Sequence, residues 1–187
     1  MSNYTETLIK KVIDCSVGQT WDEAVQEWII EDCSEDLSQS QSCVCGKEDL
    51  RYPFTIKNKK NGNTLFPIGS SCIKKFERED LFSDAKQREA KFKLLHAIED
   101  GQFIELSSEL FSKKLILALY KEGAFNYGFN DDDGRNDYEF FLKMFNKRDK
   151  TTITDRQHRK INYIIAYKIK PFLRETIGEK ISNELPF

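Results

Sequence analysis

Cys43-Val44-Cys45-Gly46, then Phe54-Thr55-Ile56-Lys57-Asn58, then Asn61-Gly62-Asn63-Thr64, then Ile68-Gly69-Ser70-Ser71-Cys72-Ile73-Lys74-Lys75-Phe76: the reading of this stretch decides the fold. Pro53 to Asn58 alternates as a half-buried strand does, and Asn61-Gly62 is a turn that glycine's freedom at positive φ makes easy. Thr64 to Ile68 is the returning strand, and Pro67, with no amide proton, confines it to an edge or end position. Cys72 to Arg78 starts a short helix that turns Ile73 and Phe76 inward.

A hairpin of this size buries little apolar surface, and a metal ion bound by side chains would supply much of its folding free energy. Structural zinc takes four tetrahedral ligands, most often thiolates. Cys43, Cys45 and Cys72 are three ligands. Cys33, the nearest cysteine upstream, is the expected fourth, with Cys15, His96 and His158 as alternatives. Gly46 and Gly69 stand where a tight turn brings backbone amides up to sulfur. The spacing is Cys-x-Cys, so the Cys-x-x-Cys arrangement of a redox pair is absent. Buried, unliganded thiols are the competing reading.

Outward from this stretch the chain reads as helices. Leu8, Ile9, Val12 and Ile13 share one face. Thr20 with Glu23 is a capping box, opening a helix that would carry Trp21, Val25, Trp28 and Ile29 together. A Ser/Gln-rich connector, Leu37 to Ser42, leads into the cysteines. On the other side, Ser83 caps a helix stopped by Gly101, and Ser112 caps another stopped by Gly123. Tyr138, Phe141, Leu142 and Phe145 mark a third. Thr154 with Gln157 opens a fourth, through Ile161, Ile164, Ile165 and Ile169, which Pro171 should kink or end. The expectation is an α+β protein, mainly helical with a small zinc-pinned β-hairpin. Its parts are N-terminal helices over 1–32, the zinc module over 33–80 and a helical C-terminal domain over 81–187.

The 187 residues are 39% hydrophobic and 12% aromatic, a composition that folds. No apolar run reaches membrane-span length and no signal-peptide core opens the chain, so a soluble cytoplasmic protein is expected. Five cysteines do not suit a secreted disulfide framework. The net charge of −2 is unevenly spread. Residues 1–42 and 96–142 are acidic, and residues 43–95 and 143–187 are basic. The bland meaning is solvated helix faces, and the sharper one is separate acidic and basic docking surfaces. Asp131-Asp132-Asp133-Gly134 is not a calcium loop, because the glycine register puts Phe129 where the first carboxylate belongs. It is an acidic loop, and with Glu31, Asp32, Glu35 and Asp36 it is a candidate for engaging a basic partner. No phosphate-binding glycine loop, metalloprotease motif or nucleophile elbow is present, and no enzymatic activity is expected.

The Cys43-Val44-Cys45-Gly46 motif, the Ile56-Lys57-Asn58 strand with Asn61-Gly62-Asn63-Thr64, and Ile68 to Phe76 together resemble a small zinc-binding module of phage and mobile-element proteins. The resemblance covers about a third of the chain if the preceding helix is included. Some relatives carry a further cysteine where this chain has Phe54, a departure that favours Cys33 as the replacement ligand. The resemblance implies structural zinc and a mobile-element origin. In size and acidic character the chain is similar to type II anti-CRISPR inhibitors of Cas9. The function expected on that basis is a monomeric inhibitor in the bacterial host cytoplasm, docking by its acidic faces on a host defence protein and keeping target DNA from loading. The alternative is a nucleic-acid-binding accessory protein of phage replication or recombination, using Lys57-Asn58-Lys59-Lys60, Lys74-Lys75 and Arg156 to Lys160 on phosphates.

Overall fold

The computed structural model describes residues 3–101, 106–128 and 133–182. Helix α1 (Asn3–Asp14) turns Leu8 and Val12 into the core. Helix α2 (Trp21–Val25) opens on the expected capping box, with Thr20 and Glu23 each bonding the other's backbone. It then stops short of the sequence expectation. Trp28 and Ile29 lie not on this helix but in strand β1 (Trp28–Cys33). The run Trp28-Ile29-Ile30 alternates buried and exposed and suits a pleated surface as well as a helix. Pairing with the hairpin decides between them.

That pairing makes a three-stranded antiparallel sheet in the order β1-β3-β4, where the sequence showed only a two-stranded hairpin. Strand β3 (Phe54–Asn58) is central, running from Trp28 opposite Asn58 to Cys33 opposite Phe54, with an irregularity between Ile30 and Asp32. Strand β4 (Thr64–Ile68) is the edge, so Pro67 removes no ladder bond from a central strand. Helix α3 (Ser70–Lys74) follows, burying Cys72 and Ile73. A short strand β2 (Glu35–Asp36) pairs in parallel with β5 (Ile181–Ser182).

The chain divides into two compact units, Met1–Glu89 with Lys180–Phe187, and Ala90–Glu179. The boundaries read from sequence at 32/33 and 80/81 differ from this division, because β1 belongs to the same sheet as the hairpin. Helix α4 (Glu79–Glu99) begins ahead of Ser83 and contains the division. Gly101 behind it has φ +67, as a helix-stopping glycine should.

The second unit holds α5 (Lys113–Lys121), capped by the Ser112 side chain on the Leu115 amide, α6 (Arg135–Asn146) and α7 (Asp155–Ile164), capped by the Thr154–Gln157 box. Phe111, Phe125 and Phe141 are buried and meet edge to face, Phe141 being 5.3 Å from Phe111 and 5.6 Å from Phe125 between ring centres. Lys168 is buried there. It donates to the Phe125 carbonyl at 2.8 Å and pairs with Asp137 at 2.8 Å. Between α7 and α8 (Lys170–Ile177) the helix widens into a π turn over Ile165–Ile169. Pro171 lies just beyond and offers the Tyr167 carbonyl no N–H, so the disturbance falls before the proline and the helix then resumes. Among the described residues no helix is long and apolar enough to cross a membrane.

Candidate metal centre

Three sulfurs meet in the first unit. Cys43 and Cys45 sit on the loop between β2 and β3, and Cys72 on α3. All three are buried, and their sulfurs lie within 4.8 Å of one another. Cys72 is 3.7 Å from Cys43 and 3.4 Å from Cys45, sulfur to sulfur. These separations are far beyond a disulfide bond, and all five cysteines are free. The three are close enough to hold one metal ion.

Local backbone chemistry builds this geometry. The Gly46 amide donates to the Cys43 carbonyl at 2.7 Å, closing a turn in which Gly46 has φ +96. A side chain there would meet the left-handed penalty. The Cys43 amide donates to the Lys47 carbonyl, and the Val44 amide to the Pro67 carbonyl, each at 2.8 Å. The second bond ties the cysteine loop to the outer strand. Gly69, between β4 and α3, donates its amide to the Cys43 sulfur at 3.4 Å. A side chain on Gly69 would come within 2.9 Å of Leu50. Gly69 therefore acts as the sequence suggests, bringing its amide to sulfur, while Gly46 closes the turn through the Cys43 carbonyl.

The electrostatics follow from crowding. The hydrogen bond shared with Cys72, helped by the Cys45 and Gly69 amides, lowers the Cys43 thiol well below the ordinary range despite burial. Cys72 is driven the other way, first by its bond to Cys43 and then by burial. Buried thiolates this close repel one another, and a bound cation would offset that repulsion. A cavity of about 130 Å³ borders Cys43 and Cys72, walled by Lys47, Tyr52, Ser71 and Glu89.

Cys33 stands outside this group, which corrects the expected ligand set. The β1–β3 register fixes it opposite Phe54, and its thiol reaches the Ser34 carbonyl at 3.6 Å. Burial pushes its pKa up, and the protonated thiol is the stable form there. Cys15, in the same unit, is not in the group either. The Cys15 carbonyl accepts from the side chains of Asn61 at 3.0 Å and Asn63 at 3.1 Å. His96 lies on α4 in the second unit, and His158 on α7 lines a separate cavity of about 540 Å³ with Phe145 and Ile153.

The acidic docking residues also need correction. Glu35 and Asp36 are buried. Arg51 holds Glu35 through two nitrogens at 2.8 and 2.9 Å. Asp36 accepts from the amide and hydroxyl of both Ser38 and Ser40, organising the Ser/Gln connector. Glu31 is exposed and paired with Lys57 at 2.8 Å, while Asp32 pairs with Lys180. Asp133 is exposed and accepts from the Arg135 amide at 2.9 Å. Asp131 and Asp132 lie outside the described residues.

Sequence reasoning missed Glu27, read as one more charge of an acidic block. It is buried, and it accepts from the Val17 and Gly18 amides at 2.8 Å each, from Asn58 at 2.6 Å and from Lys60 at 3.1 Å. Its only sequence signal is Gly18, where a side chain would come within 2.7 Å of Glu23. No family model, curated protein or solved structure matches the chain.

Proposed function

We propose that the chain is a zinc-stapled binding protein of mobile-element origin that inhibits a host defence nuclease of the Cas9 type by occupying the surface where target DNA loads. The buried three-thiol cluster is the observation that carries the stapled-scaffold part of this reading. Thiolates about 2.3 Å from a tetrahedral zinc stand about 3.8 Å apart, and the sulfurs here are already close to that spacing. Cys43, Cys45 and Cys72 would hold the ion, and the ion would supply their missing positive charge. It would tie the loop before β3 to α3 across the hairpin, with these three thiolates at three of the four tetrahedral positions.

The docking part rests on the resemblance and on acidic character, over a smaller surface than the sequence suggests. With Glu35 and Asp36 inside, the candidates left among the described residues are Glu31 and Asp32, shared with lysines, and Asp133, shared with Arg135. Such faces steer association more than they add affinity. The test is to titrate the purified protein into Cas9 loaded with guide RNA and follow target-DNA binding and cleavage. Inhibition that weakens with salt and with Glu31→Lys or Asp133→Lys supports the reading. No association with Cas9 and unchanged cleavage overturn the inhibitor while leaving the metal site standing.

A further inference from the structure

We infer that the outer face of α7 and the π turn after it is a binding platform for single-stranded nucleic acid, with Tyr163 and Tyr167 stacking on bases and Arg156 and Arg159 meeting phosphates. Tyr163 is 44% exposed and Tyr167 66%, the latter the most exposed large hydrophobic side chain among the described residues. Their rings lie together, centres 5.1 Å apart and planes tilted by 33°. Neither phenol has a hydrogen-bond partner among the described residues. A contiguous exposed aromatic pair is rarer than the scattered single apolar residues any surface carries.

The helix geometry sets the rings in line. Residues four apart on an α-helix overshoot a full turn by about 40°. The wider π turn that begins at Ile165 takes up part of that overshoot. Positions 156, 159 or 160, 163 and 167 therefore form one stripe, while Ile161, Ile164, Ile165 and Ile169 turn into the core. Arg156 and Arg159 are exposed and, among the described residues, neither pairs with a carboxylate. Lys160 is anchored instead, 2.8 Å from Asp137 and 4.7 Å from the centre of the Phe140 ring. Among the described residues, Asp137 is already engaged by Lys160 and Lys168, and Asp155, next to Arg156 in the chain, is exposed. Cations with adjoining aromatic faces match a single strand, whose bases are free to stack, better than a duplex, whose bases are not. The inference does not rest on the inhibitor reading, since it concerns this chain alone with an oligonucleotide.

The test is fluorescence anisotropy of the full chain with labelled single-stranded DNA and RNA of about 16 nucleotides, and with the matching duplex. The expected result is binding of single strands over duplex, with log affinity falling linearly against log salt. Tyr163→Ala and Tyr167→Ala should each weaken binding on the order of ten-fold, Tyr→Phe at either position should keep it, and Arg156→Gln with Arg159→Gln should flatten the salt slope by about 1.4. All four side chains are exposed, and unchanged thermal melting confirms that the variants fold. The inference is overturned by no binding at low salt, by preference for duplex, or by binding that the tyrosine variants leave intact.

Discussion

Glu27 and Asn58 face each other across the start of the β1–β3 pair, the Asn58 amide donating to the Glu27 carboxylate at 2.6 Å. Asn58 uses its carbonyl oxygen at the same time, accepting from the Lys60 amide at 2.8 Å and the Asn61 amide at 3.3 Å. One buried carboxylate and one amide side chain thus fix both the Val17-Gly18 turn and the hairpin turn. Burial opposes the Glu27 charge, but Val17, Asn58, Gly18 and Lys60 together lower its pKa from the ordinary carboxylate value to about 2. A depressed carboxylate stabilises the fold above its unfolded-state pKa and loses that contribution as pH falls through the folded value. Glu27→Gln should therefore melt below wild type at pH 7, with the gap closing between about pH 4.5 and pH 2. Thermal melts of both proteins across that window check this, and a gap independent of pH would contradict it.

Asp36 separates a folding role from a docking role. Its carboxylate is buried and accepts four part-buried bonds from Ser38 and Ser40, so Asp36→Ala should cost stability, on the order of 2 kcal/mol, through loss of hydrogen bonds to a charged group. Urea unfolding measures it. A variant as stable as wild type but altered in partner binding would restore Asp36 to the docking surface.

In the second unit Lys168 is the comparable interior charge. Lys168→Met removes its bonds to the Phe125 carbonyl and Asp137 and should destabilise the chain by about 3 kcal/mol. Asp137 keeps Lys160 at 2.8 Å, which moderates the loss. Adding Asp137→Asn to Lys168→Met should then cost less than the sum of the two single changes. Additive costs in denaturant unfolding would show that the two side chains are not coupled.

Gly46 tests how the cysteine loop is made. With φ +96, Gly46→Ala should cost about 1–2 kcal/mol, and metal affinity should fall with it because the same turn sets Cys43 against Cys45. Competition with a chromophoric chelator reads the affinity. An unchanged chelator titration would mean that the loop reaches its geometry without this turn.

What the sequence made legible was local. Both capping boxes, the Asn-Gly hairpin, the edge position of Pro67 and the helix-stopping glycines are carried by neighbouring residues and appear where expected. Cys43, Cys45 and Cys72 were legible because their glycines mark the turns that converge them. What was missed depends on distant partners. Trp28 to Cys33 is a strand because β3 lies beside it, and no local signal outranks the helical spacing of Trp21, Val25, Trp28 and Ile29. Glu35 looks solvated until Arg51 and the pairing of β2 with β5 enclose it. Cys33 looked like the fourth ligand by sequence proximity and by the departure at Phe54, and the β1–β3 register holds it opposite Phe54.

The central claim is that three thiols, and not Cys33, make the metal site. Zinc analysis of protein purified without chelator, alongside single Cys→Ser variants, tests it most directly. The account predicts one zinc per chain, lost in Cys43→Ser, Cys45→Ser and Cys72→Ser and retained in Cys33→Ser. Metal-free wild-type protein, or loss of zinc in Cys33→Ser equal to that in Cys43→Ser, would contradict it.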